Sequence, residues 1–107
     1  MTLNEYQTQA ERTAGVASTK NRVLNCGLGL TGEAGEVADI IKKVYFQGHA
    51  LDDEKLANEL GDVLWYIAIL AQTMGWNLED IAKKNIAKLS ARYPQGFDEE
   101  RSRNREE

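Results

Sequence analysis

Two stretches decide how this chain folds: residues 29–43, GLTGEAGEVADIIKK, and residues 58–70, NELGDVLWYIAIL. Apolar residues recur in both at the spacing of an α-helix, yet each stretch also carries two acids three positions apart. The two pairs are Glu33 with Glu36 and Glu59 with Asp62. Residues three apart on a helix are neighbours, with Cβ atoms about 5–6 Å apart. Two carboxylate pairs therefore border the segments that should build the hydrophobic core.

Helical signals extend from these stretches over most of the chain, which has one proline and no cluster of strand and turn signals. We predict helices over residues 3–14, 21–47, 53–74 and about 78–93, the second being one bent helix or two. Short connections favour an all-α fold, an antiparallel bundle of four or five helices. Residues 1–97 are expected to form this single domain, and the charged residues 98–107 a mobile tail.

The third predicted helix is apolar on nearly all sides between residues 63 and 70. One subunit of this size offers too little cover for such a helix, so we expect a homo-oligomer, either a dimer or a tetramer. Glycines in the second helix would permit close helix–helix approach. They are Gly27, Gly29, Gly32 and Gly35.

The charge balance argues against several classes of protein. Lys and Arg number 13 and Asp and Glu 17, a net charge of −4 without a basic block, which disfavours a nucleic-acid-binding protein. Arg101, Arg103 and Arg105 are flanked by Glu99, Glu100, Glu106 and Glu107 and are not expected to form a basic patch. The longest apolar run, residues 63–71, is far shorter than the ~20 residues that span a bilayer, and the polar N-terminus lacks a signal-peptide core. We therefore expect a cytoplasmic protein without a membrane partner.

The carboxylate pairs have two interpretations. They are solvated helical faces, or they converge between packed helices, where their mutual repulsion would require a cation. Oxygen ligands alone favour Mg²⁺, Mn²⁺ or Ca²⁺. One cysteine and one histidine are too few for a zinc site, and no Glu-x-x-His motif supports a di-iron site. Mg²⁺ held by carboxylates usually completes its shell with waters and substrate phosphate oxygens.

A basic stripe in the fourth predicted helix fits a phosphate-bearing ligand. Lys84, Lys88 and Arg92 are four residues apart and share one helical face, where they could hold phosphoryl oxygens. The alternative is a solvated stripe near a helix C-terminus, where cations are favourable in any case.

Three segments together resemble the MazG-like nucleoside triphosphate pyrophosphohydrolases: LGLTGEAGEVADIIKK, LANELGDVLWYIAILAQTMG and NIAKLSARYPQGF. The similarity covers residues 28–97 and combines Glu-x-x-Glu, Glu-x-x-Asp, Asn-x-x-Lys and Arg-Tyr-Pro. This all-α superfamily includes dimeric dUTPases, dCTP pyrophosphatases and phosphoribosyl-ATP pyrophosphohydrolases. The resemblance implies hydrolysis of a nucleotide substrate between its α and β phosphates, giving a nucleoside monophosphate and pyrophosphate, and thus a role in removing unwanted nucleotides.

The resemblance also implies roles for individual residues. It assigns the ligands of a divalent metal, Mg²⁺ with Mn²⁺ as a substitute, to Glu33, Glu36, Glu59 and Asp62. It assigns substrate contacts to Tyr66, Lys84, Asn85, Lys88 and Arg92. For the catalytic group that orients or deprotonates water we choose Glu36 before Glu33. The alternatives are a phosphoribosyl-ATP pyrophosphohydrolase, which would share the metal site, and a non-catalytic helical module that binds a partner.

Overall fold

A computed structural model describes residues 1–105 of the chain, and these residues fold into helices. The helices are α1 (Leu3–Glu11), α2 (Thr19–Phe46), α3 (Asp53–Thr73), α4 (Leu78–Arg92) and α5 (Glu99–Arg103). Residues 1–105 form no β-strand, and an isolated bridge joins Pro94 to Gly96. The predicted all-α fold is therefore confirmed. Within the described residues, no helix is long and apolar enough to cross a membrane.

The helix ends follow from local capping. Asp52 begins α3 by accepting a hydrogen bond from the Lys55 backbone N–H at 3.1 Å. Gly48, with φ of 72°, ends α2, and the next residue returns its N–H to the Lys43 carbonyl at 3.1 Å. The segment that we predicted as one bent helix or two is a single helix of 28 residues.

Helix α3 is the centre of the fold. It contacts α1, α2 and α4, and its contact with α2 is the most extensive. Since a short loop joins α2 to α3, the two helices pack side by side and antiparallel. Ala68 and Ile69 of α3 are almost inaccessible to solvent and form the core with three residues of the other helices. Those three are Ala10, Cys26 and Leu78.

The side chains of α1 hold the beginning of α4. Gln7, which is buried, donates to the carbonyl oxygens of Ala68 at 3.2 Å and Trp76 at 2.9 Å, and accepts the Leu78 N–H at 3.0 Å. Asn4 accepts the next N–H, that of Glu79, at 3.0 Å. The first backbone donors of a helix have no partner within the helix. Here α1 supplies those partners, so it fixes the position at which α4 leaves the bundle.

A second link joins α1 to α2. The Arg22 guanidinium donates one N–H to each carboxylate oxygen of Glu11, with one of the two distances 2.8 Å. This hydrogen-bonded pair lowers the pKa of Glu11 and raises the pKa of Arg22. The Arg22 Nε atom is buried beneath the pair without a hydrogen-bond partner. The bidentate pair therefore fixes the arginine in one orientation.

The glycines of α2 differ in what surrounds them. A Cβ atom on Gly29 would come within 3.0 Å of three ring carbons of Tyr66, so this glycine permits the close packing of α2 on α3 that we predicted. A Cβ on Gly27, Gly32 or Gly35 would meet no atom within 4 Å. The expected close approach therefore occurs in this chain at Gly29 and not at the other three.

Part of the segment expected to be a mobile tail is helical. Asp98 caps α5 by accepting the N–H groups of Glu100 at 2.8 Å and Arg101 at 3.2 Å. Composition alone suggested no structure there, and the signal that we missed is an N-cap aspartate followed by two acids in the first turn. Residues 106 and 107 of the same segment lie outside the described residues. The mobility of the tail stays a prediction.

Candidate metal centre

Three of the four predicted ligands come together at the contact between α2 and α3. Glu33 of α2 and Glu59 and Asp62 of α3 each place one carboxylate oxygen so that all three atoms lie within 4.8 Å of one another. Glu33 and Glu59 are half-buried, whereas Asp62 is exposed. The two acids of α3 are three residues apart and therefore share a face of that helix, which turns toward Glu33.

Glu36 lies outside this group of three. It is exposed and follows Glu33 by one turn of α2, close enough for its charge to help raise the pKa of Glu33. The next acid along this face, Asp39, binds the Lys43 ammonium at 2.8 Å, which lowers the pKa of Asp39. Of the acids of α2, Glu33 thus belongs to the cluster, Glu36 lies beside it, and Asp39 is paired with a lysine. The assignment of Glu36 as a ligand stays a prediction.

The cluster concentrates negative charge. The pKa of Glu33 is raised, first because its carboxyl group shares a hydrogen bond with Glu59, then because of burial and the nearby charges of Asp62, Glu59 and Glu36. The charge reaches α1 as well: the pKa of the half-buried Tyr6 is raised first by burial and then by Asp62. Sequence reasoning did not identify Tyr6, because nothing in the sequence of a polar helix indicates that its tyrosine lies near Asp62.

The spacing of the three oxygens suits a divalent cation. An octahedral Mg²⁺ has oxygen ligands at about 2.1 Å, so its ligands are separated by about 3 Å when adjacent and about 4 Å when opposite. Oxygens within 4.8 Å of one another need only small side-chain shifts to reach these separations. Three carboxylates fill half of an octahedron and leave positions for water and phosphate oxygens. The donor set therefore fits Mg²⁺ or Mn²⁺. Zinc and copper are not favoured, because the site offers only carboxylate oxygens and no imidazole or thiolate.

Tyr66 lies in the contact between α2 and α3. Its half-buried ring packs against Gly29 and meets Trp65 edge to face, with ring centroids 5.0 Å apart and planes at 87°. Trp65 is held in turn by a hydrogen bond from its Nε1 to the Thr13 hydroxyl at 2.9 Å. Both aromatic residues support the helix that carries Glu59 and Asp62. A substrate contact by Tyr66 stays a prediction.

The predicted phosphate-binding residues all lie on α4, and they separate into two groups. Lys84 and Asn85 are exposed. Lys88 and Arg92 line a cleft together with residues of the C-terminal segment, among them Arg101 and Arg105. Asp98 and Glu100 line the same cleft, so acidic and basic side chains are mixed there. The expectation that the tail arginines form no basic patch stays a prediction. None of the acids of the metal cluster lines this cleft.

Comparison with known proteins identifies the family of this chain. A family model for the MazG nucleotide pyrophosphohydrolase domain matches residues 22–97. The chain is 37% identical over 73 residues to the Gene 37 protein of Mycobacterium phage L5, with 64% of each chain covered. It is 39% identical over 71 residues to the uncharacterized protein YvdC of Bacillus subtilis (strain 168), with 57% of this chain and 66% of that protein covered.

The chain spans a little less than two thirds of the length of each of these relatives. No solved structure gives a significant match. The family model covers most of α2, all of α3 and α4, and all three clustered acids. Because this match extends over well more than half of the chain, the protein belongs to the MazG nucleotide pyrophosphohydrolase domain family.

Proposed function

We propose that this protein is a Mg²⁺-dependent pyrophosphohydrolase that cleaves nucleoside or deoxynucleoside triphosphates between the α and β phosphates. The products are a nucleoside monophosphate and pyrophosphate, and the cellular role is the removal of unwanted nucleotides from the cytoplasmic pool. The observation that carries the proposal is the convergence of Glu33, Glu59 and Asp62 within 4.8 Å in a chain of this family. A protein that used these acids only for solubility would gain nothing from bringing them together, because like charges repel.

The chemistry divides among the residues as follows. Glu33, Glu59 and Asp62 hold Mg²⁺, which when bound polarises phosphate oxygens and offsets their charge. Glu36, beside the cluster and exposed, orients the attacking water and accepts its proton. The water oxygen bonds to phosphorus, the bond to the bridging oxygen breaks, and the leaving oxygen takes up a proton from solvent. Lys84, Asn85, Lys88 and Arg92 bind phosphate oxygens, and Tyr66 borders the nucleotide.

The test is release of pyrophosphate from a panel of nucleotides that includes phosphoribosyl-ATP, with Mg²⁺ and with EDTA. We expect turnover of at least one triphosphate with Mg²⁺ and none with EDTA. Glu59→Gln should lower turnover by about a hundredfold or more, because loss of a metal ligand costs more than loss of a residue that only hydrogen-bonds to a ligand. Glu54→Gln is the matched control, an exposed glutamate in the first turn of the same helix. Selective turnover of phosphoribosyl-ATP would favour the related pyrophosphohydrolase.

Absence of turnover across the panel, together with absence of Mn²⁺ binding by calorimetry, would contradict the enzymatic proposal. That pair of results would instead favour the non-catalytic helical module. If Glu59→Gln and Glu54→Gln are equally active, the acidic cluster is not required for catalysis, even if the wild-type protein hydrolyses nucleotides.

We also propose that the working form is a homo-oligomer. The radius of gyration of the chain is 16.8 Å, whereas a compact domain of this length has a value of about 13 Å. Large apolar side chains are exposed on three helices: Leu28 of α2 by 75%, Leu60 of α3 by 53% and Ile86 of α4 by 63%. A second copy is the occupant that fits, because its own exposed apolar faces have the same need for cover.

The oligomer is tested by light scattering on the full chain after size exclusion. We expect a dimer or tetramer for the wild-type protein, and a shift toward monomer for Ile86→Asp. Ala87→Asp is the matched control, because it introduces the same charge at the adjacent position, about 100° around α4. A monomeric wild-type protein, or equal dissociation by both variants, would contradict this arrangement.

A further inference from the structure

Three lysines surround one aspartate on the pair of helices that carries the metal centre. Asp39 of α2 binds the Lys43 ammonium at 2.8 Å, and the Lys42 ammonium lies 4.0 Å from its other carboxylate oxygen. Lys55 of α3 is near enough that its charge also helps to lower the pKa of Asp39. Lys42, Lys43 and Lys55 form what we call the lysine cluster, and Asp39 balances one of its three positive charges.

The lysine cluster follows the metal centre along the antiparallel contact between α2 and α3. Glu33 of α2 lies beside Glu59 and Asp62 of α3. Farther along the same contact, Asp39 of α2 lies near Lys55 of α3. At about 1.5 Å per residue, the two groups are separated by about 9 Å along α2 and about 6 Å along α3. The lysine cluster is therefore next to the metal centre on the same two helices.

The side chain of Lys43 extends back toward the metal centre. Long side chains of an α-helix lean toward its N-terminus, which on α2 is the direction of Glu36 and Glu33. Glu36 is close enough that its charge helps to raise the pKa of Lys43, after the larger effect of Asp39. Solvent reaches 57% of the Lys42 side chain and 40% of the Lys43 side chain. A ligand that is held by the metal centre and extends along α2 would therefore meet accessible ammonium groups.

The ligand that fits both groups is a chain of linked phosphates. A Mg²⁺ or Mn²⁺ ion held by carboxylates completes its shell with phosphate oxygens, and lysine ammonium groups bind further phosphate oxygens as compact cations. Unlike the basic residues of α4, the lysine cluster belongs to the helices that carry the metal centre. We infer that Lys42, Lys43 and Lys55 bind the two phosphates that leave as pyrophosphate. The inference rests on the proposed function for the identity of the substrate and adds a second group of phosphate-binding residues.

The experiment is calorimetric titration of the full chain with inorganic pyrophosphate in the presence of Mn²⁺ at low salt. We expect Lys43→Gln to weaken pyrophosphate binding about five- to tenfold, the effect of losing a charge-assisted hydrogen bond. Asp39→Asn should strengthen binding about two- to fivefold, because the lysines lose a carboxylate that competes with phosphate for them. Lys20→Gln is the matched control, since it removes the same charge from the exposed first turn of α2. It should change the affinity by less than about twofold, because Lys20 lies at the opposite end of the helix.

The opposite effects of Lys43→Gln and Asp39→Asn distinguish phosphate binding from a purely structural role, because either change breaks the same ion pair. Weaker pyrophosphate binding by both variants, or no measurable binding by the wild-type protein, would overturn the inference. Lys43→Gln should keep the wild-type affinity for Mn²⁺ alone, because Lys43 is not a metal ligand. If nucleotides are hydrolysed but Lys43→Gln binds pyrophosphate as tightly as the wild-type protein, the inference fails and the proposed function stands. If pyrophosphate binding changes as expected and no nucleotide is hydrolysed, the inference stands and the proposed reaction fails.

Discussion

Replacement of Gly29 by alanine should destabilise this protein, although alanine normally stabilises a helix. A Cβ atom at residue 29 would meet three ring carbons of Tyr66, the farthest of them at 2.8 Å. Carbon atoms in contact prefer about 3.5–4.0 Å, so the ring or the helix must move by roughly 1 Å. The ring has little room, because it packs against the buried core and against Trp65.

Two opposing terms set the size of this effect. Overpacking of a well-filled contact costs about 1–3 kcal/mol, and the change from glycine to alanine in a helix contributes about 1 kcal/mol of stability. Because the ring is confined, the overpacking cost should lie in the upper part of its range. We therefore expect Gly29→Ala to lower the free energy of unfolding by about 1–2 kcal/mol. Gly27→Ala is the control, because a Cβ there meets nothing within 4 Å. It should gain up to about 1 kcal/mol, so the two variants should differ by roughly 2–3 kcal/mol.

The assay is thermal and urea unfolding of both variants at one protomer concentration, which matters because oligomerisation would contribute to the melting temperature. A difference of 2 kcal/mol corresponds to about 8–16 °C for a domain of this size. The double variant Gly29→Ala/Tyr66→Ala tests the cause: removal of the ring should remove the penalty of the alanine. Equal stabilities of Gly29→Ala and Gly27→Ala would refute the packing argument.

Three further predictions concern stability. The pKa of Glu11 is lowered from its usual 4.5 by its hydrogen bonds to Arg22, so the pair stabilises the fold above that pH and the contribution is lost as pH falls through the lowered value. The gap in unfolding free energy between wild type and Glu11→Gln should therefore be largest near pH 7 and narrow by pH 3 in urea titrations. Gln7→Ala removes three hydrogen bonds and leaves the buried N–H of Leu78 without its partner, so it should cost about 2–4 kcal/mol, whereas the exposed Gln9→Ala should change stability little. Glu59→Gln should raise the melting temperature in EDTA, because it relieves repulsion within the acidic cluster, and should lower the stabilisation given by added Mn²⁺.

The helices were predictable because their determinants are local. Asp52, Asn77 and Gly48 act as caps and stops through their own side chains or backbone, and the apolar spacing of α2 and α3 is a property of single segments. Three clustered acids were predictable for a related reason. Two of them, Glu59 and Asp62, share a face by spacing alone, and the family pattern brings Glu33 to them.

What sequence reasoning missed depends on contacts between distant parts of the chain. The partners of Gln7 lie 61–71 residues away, so nothing in the polar sequence of α1 indicates that this side chain is buried. Lys88 and Arg101 line the same cleft although 13 residues separate them, and the sequence of the tail does not indicate that they lie near each other. The site residues of α4 were likewise identified by their spacing, but spacing does not determine which helix they face.

The attachment of Gln7 to residue 78 constrains the order in which the chain can fold during synthesis. Chains emerge from the ribosome at about 5–20 residues per second, N-terminus first. Until Leu78 has emerged, the amide of Gln7 has no backbone N–H from α4 to accept, although α1 can already contact α2 and α3. The attachment of the first helix to be translated is therefore completed only when the start of α4 is available. Removal of α1 would take away the Asn4 and Gln7 side chains that bind the first N–H groups of α4, near the opposite end of the sequence.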